Sequence, residues 1–258
     1  MVIEKYNPNC SFSSVQQVAK KIFFLLAAVI LFQSNASARL SDSKKILVFT
    51  KTNGFYHTSI VAGVKAIQQL GDENKVQVDT TSDAGYFTPR RLKQYDAIVF
   101  LSTTGDILNE QQQRAFQQYI SRGGGFVGIH AAADTEYDWP WYNDLVGAYF
   151  LSHPQQQQAL LFVRDSTHPS TRHLPANWSK WDEWYNYKNI QPHIKVLMTL
   201  EESSYSGGTN GSFHPIAWCH EWNGGRAFYT GLGHTDASYT DPLFLQHLWG
   251  GITYAMKQ

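Results

Sequence analysis

Three short runs fix the kind of sheet this chain can build. Lys45–Thr50, Tyr95–Leu101 and Phe126–His130 are apolar almost without interruption, whereas a strand with one wet face alternates. Continuous apolar strands need cover on both faces, which is the condition of a parallel sheet sandwiched by helices. The intervening sequence supplies the cover. Ile60, Val64, Ile67 and Leu70 fall at helical spacing, with Thr58 or Ser59 as the cap and Gly71 as the stop. Val76–Thr80 is a further strand. Asn109 caps a helix running to Ile120, which Gly123-Gly124-Gly125 ends. The order strand, helix, strand, strand, helix, strand predicts an α/β domain with helices on both faces of a parallel sheet.

The second half has a different grain. Pro215–Trp222 and Arg226–Leu232 flank Asn223-Gly224-Gly225 and predict an antiparallel hairpin added to that sheet. Between Trp139 and Tyr187 the aromatic and polar residues show weak periodicity, which predicts loops, short helices and one strand near Ala159–Val163, forming a wall of a cleft. Pro242–Met256 carries Phe244, Leu248 and Ile252 on one stripe and predicts a closing helix.

Residues 1–38 have the order of an export signal: basic Lys20 and Lys21, the apolar run Ile22–Phe32, then a polar stretch ending in Ala36-Ser37-Ala38. Eleven apolar residues are too few to span a bilayer as a permanent helix. The expectation is cleavage after Ala38, a mature chain that starts at Arg39 and forms one domain over 39–258, and a periplasmic or extracellular location. Removing Lys5, Lys20, Lys21 and Glu4 from 21 basic and 21 acidic residues leaves 18 and 20. That balance gives no reason to expect a nucleic-acid or anionic-membrane partner. Cys10 leaves with the signal and Cys219 stays alone, so the mature chain has no internal disulfide. Aromatics at 14% and ten histidines, all beyond residue 38, suit a pocket whose rings stack on sugars as well as they suit a core.

Ligands of open parallel sheets bind outside the carboxyl ends of the strands. His57, in the loop after the first strand, and His130, at the tip of the fourth, both stand at that edge. The expectation is that the first and fourth strands lie side by side and bring these histidines together. His234 follows Gly231-Leu232-Gly233 at the end of another strand. Asp182 and Glu183 sit among Trp181, Trp184 and Tyr185, where a low dielectric would raise a carboxyl pKa and make it an acid or base. His57, His130, Glu183 and His234 are the candidate catalytic residues. His153, Asp182, Tyr185 and Arg226 are candidate substrate contacts.

Lys51–His57, Gly123–Ala132, Asp182–Tyr185 and Gly224–Thr235 together resemble the motifs of the ThuA-like (trehalose-utilisation) family, in that family's order, over roughly residues 44–256. The resemblance implies a flavodoxin-like fold similar to the class I glutamine amidotransferases, and carbohydrate metabolism with keto-sugars or disaccharides as substrates. Tyr56 stands where the family often has arginine. Amidotransferases carry a catalytic cysteine in a Gly-x-Cys-x-Gly turn, whereas here the turn is Gly128-Ile129-His130-Ala131-Ala132 and Cys219 lies in a predicted strand. Without a thiolate at that turn, glutamine amidotransferase chemistry is excluded.

The histidines with Glu183 permit metal-free acid–base work or a divalent metal such as zinc or manganese, and the scattered spacing leaves both open. The expected function is therefore that of an exported hydrolase, lyase or isomerase acting on a glycoside. The alternative is a non-catalytic carbohydrate-binding or scaffold protein. The two are separated by whether His57, His130, Glu183 and His234 point into one cavity.

Overall fold

The first strand, β1 (Lys45–Phe49), is flanked by β2 (Gln77–Thr81) and β3 (Ala97–Leu101), and β3 by β4 (Gly125–Ile129), all parallel. The fifth parallel place, beside β4, is taken by the second arm of the expected hairpin, β11 (Gly225–Thr230). The order β2-β1-β3-β4-β11 is that of the flavodoxin-like doubly wound sheet. The structure is a computed structural model describing residues 1–3 and 44–257. The basic, apolar and small-residue parts of the expected export signal, and its cleavage point, lie outside those residues. Among the described residues no helix is long and apolar enough to cross a membrane.

Period-two alternation assigns the two faces. Phe100 and Phe126 point to one side, where α3 (Glu110–Ser121) stacks Phe116 against Phe100 with centroids 5.3 Å apart. Tyr142 of the short α4 (Pro140–Val146) closes the same layer. Leu101 and Gly125 point to the other side, under α1 (Ile60–Asn74) and α5 (Pro242–Ala255). A Cβ at Gly125 would run into the Ala255 carbonyl, and one at Gly251 into the Phe228 ring, so α5 lies on the sheet more closely than any side chain allows. α3 has the expected Asn109 cap, completed by Gln112 into a reciprocal capping box. A single helical turn, α2 (Pro89–Leu92), packs beside α3.

Three expectations are corrected. β3 separates β1 from β4, so the first and fourth strands are not neighbours. α1 does not stop at Gly71 but runs to Asn74, where Lys75 turns left-handed at φ 59°. Gly71 is there because a Cβ would strike Val78 and the Val76 carbonyl of the approaching strand. The hairpin, in turn, is the start of a larger extension. β10 (His214–Trp222), β9 (Lys195–Glu201), β6 (Gln157–Val163) and β7 (Asn177–Asp182) continue the sheet antiparallel to a total of nine strands. β5 (Tyr149–Ser152) and β8 (Asn186–Lys188) pair separately. The Trp139–Tyr187 stretch holds the expected short helix, α4, and the expected strand, β6, and adds β5, β7 and the start of β8.

Cys219 is buried in β10, where burial pushes its thiol up to about 11. Such a thiol is a small hydrophobe rather than a nucleophile. Cys219→Ala should lower stability by about 1 kcal/mol and leave turnover per folded molecule unchanged. Abolished turnover in a folded variant would revive thiol chemistry.

Candidate functional site

Four chain segments meet at the carboxyl edge of the parallel strands. The first is the loop after β1, which ends in His57. It reaches across β3 because Asn53 and Gly54 donate their N–H groups to the Thr104 carbonyl and hydroxyl, at 2.8 and 3.2 Å. This bridging, rather than adjacency of strands, carries His57 to His130, with ring centroids 5.0 Å apart. Ser59 precedes α1 without capping it, and its hydroxyl instead donates to the Gly233 carbonyl at 3.3 Å.

His130 comes directly off β4 with φ 48°, left-handed backbone that a side chain adopts only when its surroundings hold it there. Tyr229 supplies one restraint, donating its hydroxyl to the His130 carbonyl at 2.7 Å. The Gly231 carbonyl supplies another, 2.9 Å from Nδ1. A carbonyl only accepts, so Nδ1 carries the proton and Nε2 of the neutral ring presents a lone pair. His130 is wholly buried and reaches the other groups from behind the cavity wall, with Tyr185 packed on its ring at 4.2 Å.

Glu183, just past β7, is the common partner. Its Oε2 is 3.3 Å from His130 Nε2 and 3.1 Å from His234 Nδ1, and its Oε1 is 3.2 Å from His153 Nδ1. His130 Nε2 and His234 Nδ1 are themselves 3.0 Å apart. The aromatic surround does not raise this carboxyl. Burial pushes it up, but the adjoining His130 and His234 imidazoles outweigh burial and hold it well below the usual carboxylate range. Glu183 is therefore an ionised anchor rather than a proton reservoir. His57 goes the other way: burial first, then the His130 and His234 charges, lower it to about 3. An imidazole neutral at that acidity offers a lone pair at neutral pH, not a proton. Its Nδ1 is buried and has no hydrogen-bond partner among the described residues.

A cavity of about 430 Å³ opens over the cluster, lined by His57, Glu183 and His234 together with Phe55, Phe150 and Tyr185, and by His153, Asp134 and Gln156. Of the expected substrate contacts, His153 and Tyr185 are on this wall. Asp182 is not. It is fully buried, and its carboxylate accepts from the Gly233 and His234 N–H groups and the Ser238 hydroxyl at 2.9, 3.1 and 3.0 Å, which fixes the glycine turn that presents His234. Arg226 is not there either, since it starts β11, at the end remote from the cavity, over the Tyr254 ring and beside Glu221. Sequence reasoning passed over Asp134, Phe55, Phe150 and Gln156. Asp134 had a visible signal, four residues after His130 in the same turn. Burial raises its carboxyl, and the Tyr137 hydroxyl donates to it at 2.6 Å.

An α/β protein with a flavodoxin-like sheet and a buried three-histidine, one-carboxylate centre at its carboxyl edge is thus defined by geometry alone. Residues 45–255 match the family model ThuA, described as trehalose utilisation, and the chain belongs to that family. A ThuA-like protein of Bacteroides uniformis is similar at 25% identity and TM-score 0.72, over 85% of this chain and 94% of that one. Another, of Parabacteroides merdae, matches at 23% and 0.68, over 84% and 91%. A β-galactosidase from Bacillus circulans sp. alkalophilus shares the fold at 11% identity and TM-score 0.55, over 83% of this chain but 31% of its own. Curated proteins give no match.

Proposed function

We propose that the protein is an exported enzyme of carbohydrate metabolism that acts on a glycoside or disaccharide, keto-sugars foremost, by histidine–carboxylate acid–base chemistry. The observation that carries this reading is the convergence of His57, Glu183 and His234 at one aromatic-walled cavity, with His130 in contact with them from behind its wall. A pure binder has no use for three imidazoles whose centroids form a triangle of 4.9, 5.0 and 5.2 Å. Aromatic faces at Phe55, Phe150 and Tyr185 suit the apolar faces of pyranose rings. Export rests on the residue order of Lys20–Ala38.

The two Glu183 oxygens define how protons move. Each faces the Nδ1 of an imidazole, His234 on one side and His153 on the other. A carboxylate that accepts from Nδ1 fixes the tautomer and leaves Nε2 free for substrate, the arrangement used by hydrolytic triads. In proton abstraction next to a keto group, one Nε2 takes the carbon-bound proton while the other imidazole protonates the oxygen that gains charge. In glycosidic cleavage the same pair serves the attacking water and the leaving oxygen. The purified protein should turn over a 3-keto glycoside when screened beside the parent glycosides, with and without chelator. Saturable sugar binding with no turnover of any of them would instead make this a binding protein.

A further inference from the structure

We propose that His57, His130, His234 and Glu183 bind one divalent transition-metal ion of the zinc type. The case starts from unmatched lone pairs. His130 Nδ1 spends its proton on the Gly231 carbonyl, so its Nε2 faces His234 Nδ1 and the Glu183 carboxylate as a bare acceptor, at 3.0 and 3.3 Å. The single proton that His234 Nδ1 can carry satisfies one of these acceptors and leaves the other pair in contact. A cation among the three satisfies all of them.

The spacing is that of ligands around an ion. Tetrahedral ligands about 2.1 Å from zinc lie roughly 3.4 Å from one another, and the three close separations are 3.0, 3.1 and 3.3 Å. His57 completes the set, with a ring nitrogen that lies, with the other three donor atoms, inside a 4.8 Å limit of mutual distance. His57 is buried, and its Nδ1 has no hydrogen-bond partner among the described residues. Three imidazoles and one carboxylate are a donor set for zinc, and also for manganese, iron, nickel or copper, and not for calcium or magnesium. The supports lie outside the ligands, as metal sites require: the Gly231 carbonyl orients His130, Asp182 holds the backbone of His234, and His153 faces the second Glu183 oxygen.

The ion takes the place of the proton shared by His130 and His234, which leaves His153 as the imidazole free to exchange protons. An oxygen of a substrate in the cavity, which Asp134 and His153 also line, would then reach the ion, and a hydroxy-ketone or vicinal diol is the class that can offer two such oxygens. This last step rests on the carbohydrate reading, whereas the ion itself does not.

The test measures the ion directly. Metal-stripped protein is titrated with zinc and with cobalt(II), following stoichiometry by elemental analysis and calorimetry, the absorption spectrum of the cobalt form, and melting temperature. One ion per chain, a tetrahedral or five-coordinate cobalt spectrum and a raised melting temperature are expected. His57→Ala and His234→Ala should each weaken affinity at least tenfold, and His193→Ala, a histidine remote from the cavity, should bind as the parent does. Circular dichroism establishes that each variant is folded, and His234→Gln replaces His234→Ala if the latter is not. No saturable ion, or an ion whose affinity is indifferent to both site variants, overturns the proposal. Turnover that persists in metal-stripped protein overturns a catalytic role for the ion while the acid–base reading stands. An ion bound without turnover of any sugar leaves the metal site standing and removes the carbohydrate reading.

Discussion

Glu183→Gln should lower turnover by roughly 10²–10⁴ in a protein that still folds. The substitution keeps shape and removes two things at once. Glutamine carries no charge, so the negative centre that faces His130 and His234 at 3.3 and 3.1 Å is gone. It also turns one acceptor oxygen into an N–H donor, so the Nδ1–H of either His234 or His153 loses its carboxylate acceptor. The affected imidazole then loses the anchor that fixes its orientation towards the substrate. Because the carboxyl is held ionised far below neutrality, the loss should not be recovered at any pH between 5 and 9, roughly the range over which imidazoles titrate. Rates of parent and variant across that range, with circular dichroism on both, make the measurement. A folded Glu183→Gln protein within threefold of the parent would remove the carboxylate from the chemistry.

The sequence made the parallel half of the fold legible because its signals are local. Continuous burial at Ile46–Phe49 and Ala97–Leu101, the Asn109 cap and the glycine turn before β11 each depend on a few neighbouring residues. Of the antiparallel extension, β10 and β6 were anticipated, whereas β7 was hidden for a physical reason. β7 alternates, but its inward positions are Trp178, Lys180 and Asp182, and the last two are polar because Lys180 pairs with Asp241 at 3.0 Å and Asp182 with backbone donors. Hydrophobic periodicity cannot see a strand whose buried face is satisfied by ions and hydrogen bonds. The site shows the same division. His57, His130, Glu183 and His234 were visible as polar residues at strand ends, and the fold brings their donor atoms within 4.8 Å of one another. What each does depends on contacts more than fifty residues distant in sequence, such as Gly231 with His130. Sequence position therefore named the residues without assigning their roles.

Asp182 is the residue whose role changes most between the two views, and its replacement should show it. The sequence makes it a substrate contact, while the structure makes it the clamp on the Gly233–His234 turn. One carboxylate oxygen accepts from the Gly233 N–H and the Ser238 hydroxyl, the other from the His234 and Glu183 N–H groups at 3.1 and 3.0 Å. Asp182→Asn keeps the volume but points an NH₂ group at one or two backbone N–H donors whichever way the amide is turned. A buried donor facing a donor costs about 1–3 kcal/mol, and two such contacts roughly 2–4 kcal/mol after relaxation. For a domain of this size that is a melting-temperature drop on the order of 10 °C. Activity should fall further than stability alone explains. Measured well below the melting point, turnover per folded molecule should be down at least about tenfold, since small displacements of a catalytic group from working geometry are costly. Meanwhile KM should move little, because Asp182 is fully buried and touches no part of the cavity. A substrate contact predicts the reverse, a raised KM with an unchanged melting temperature, and that pattern would restore the sequence-based assignment.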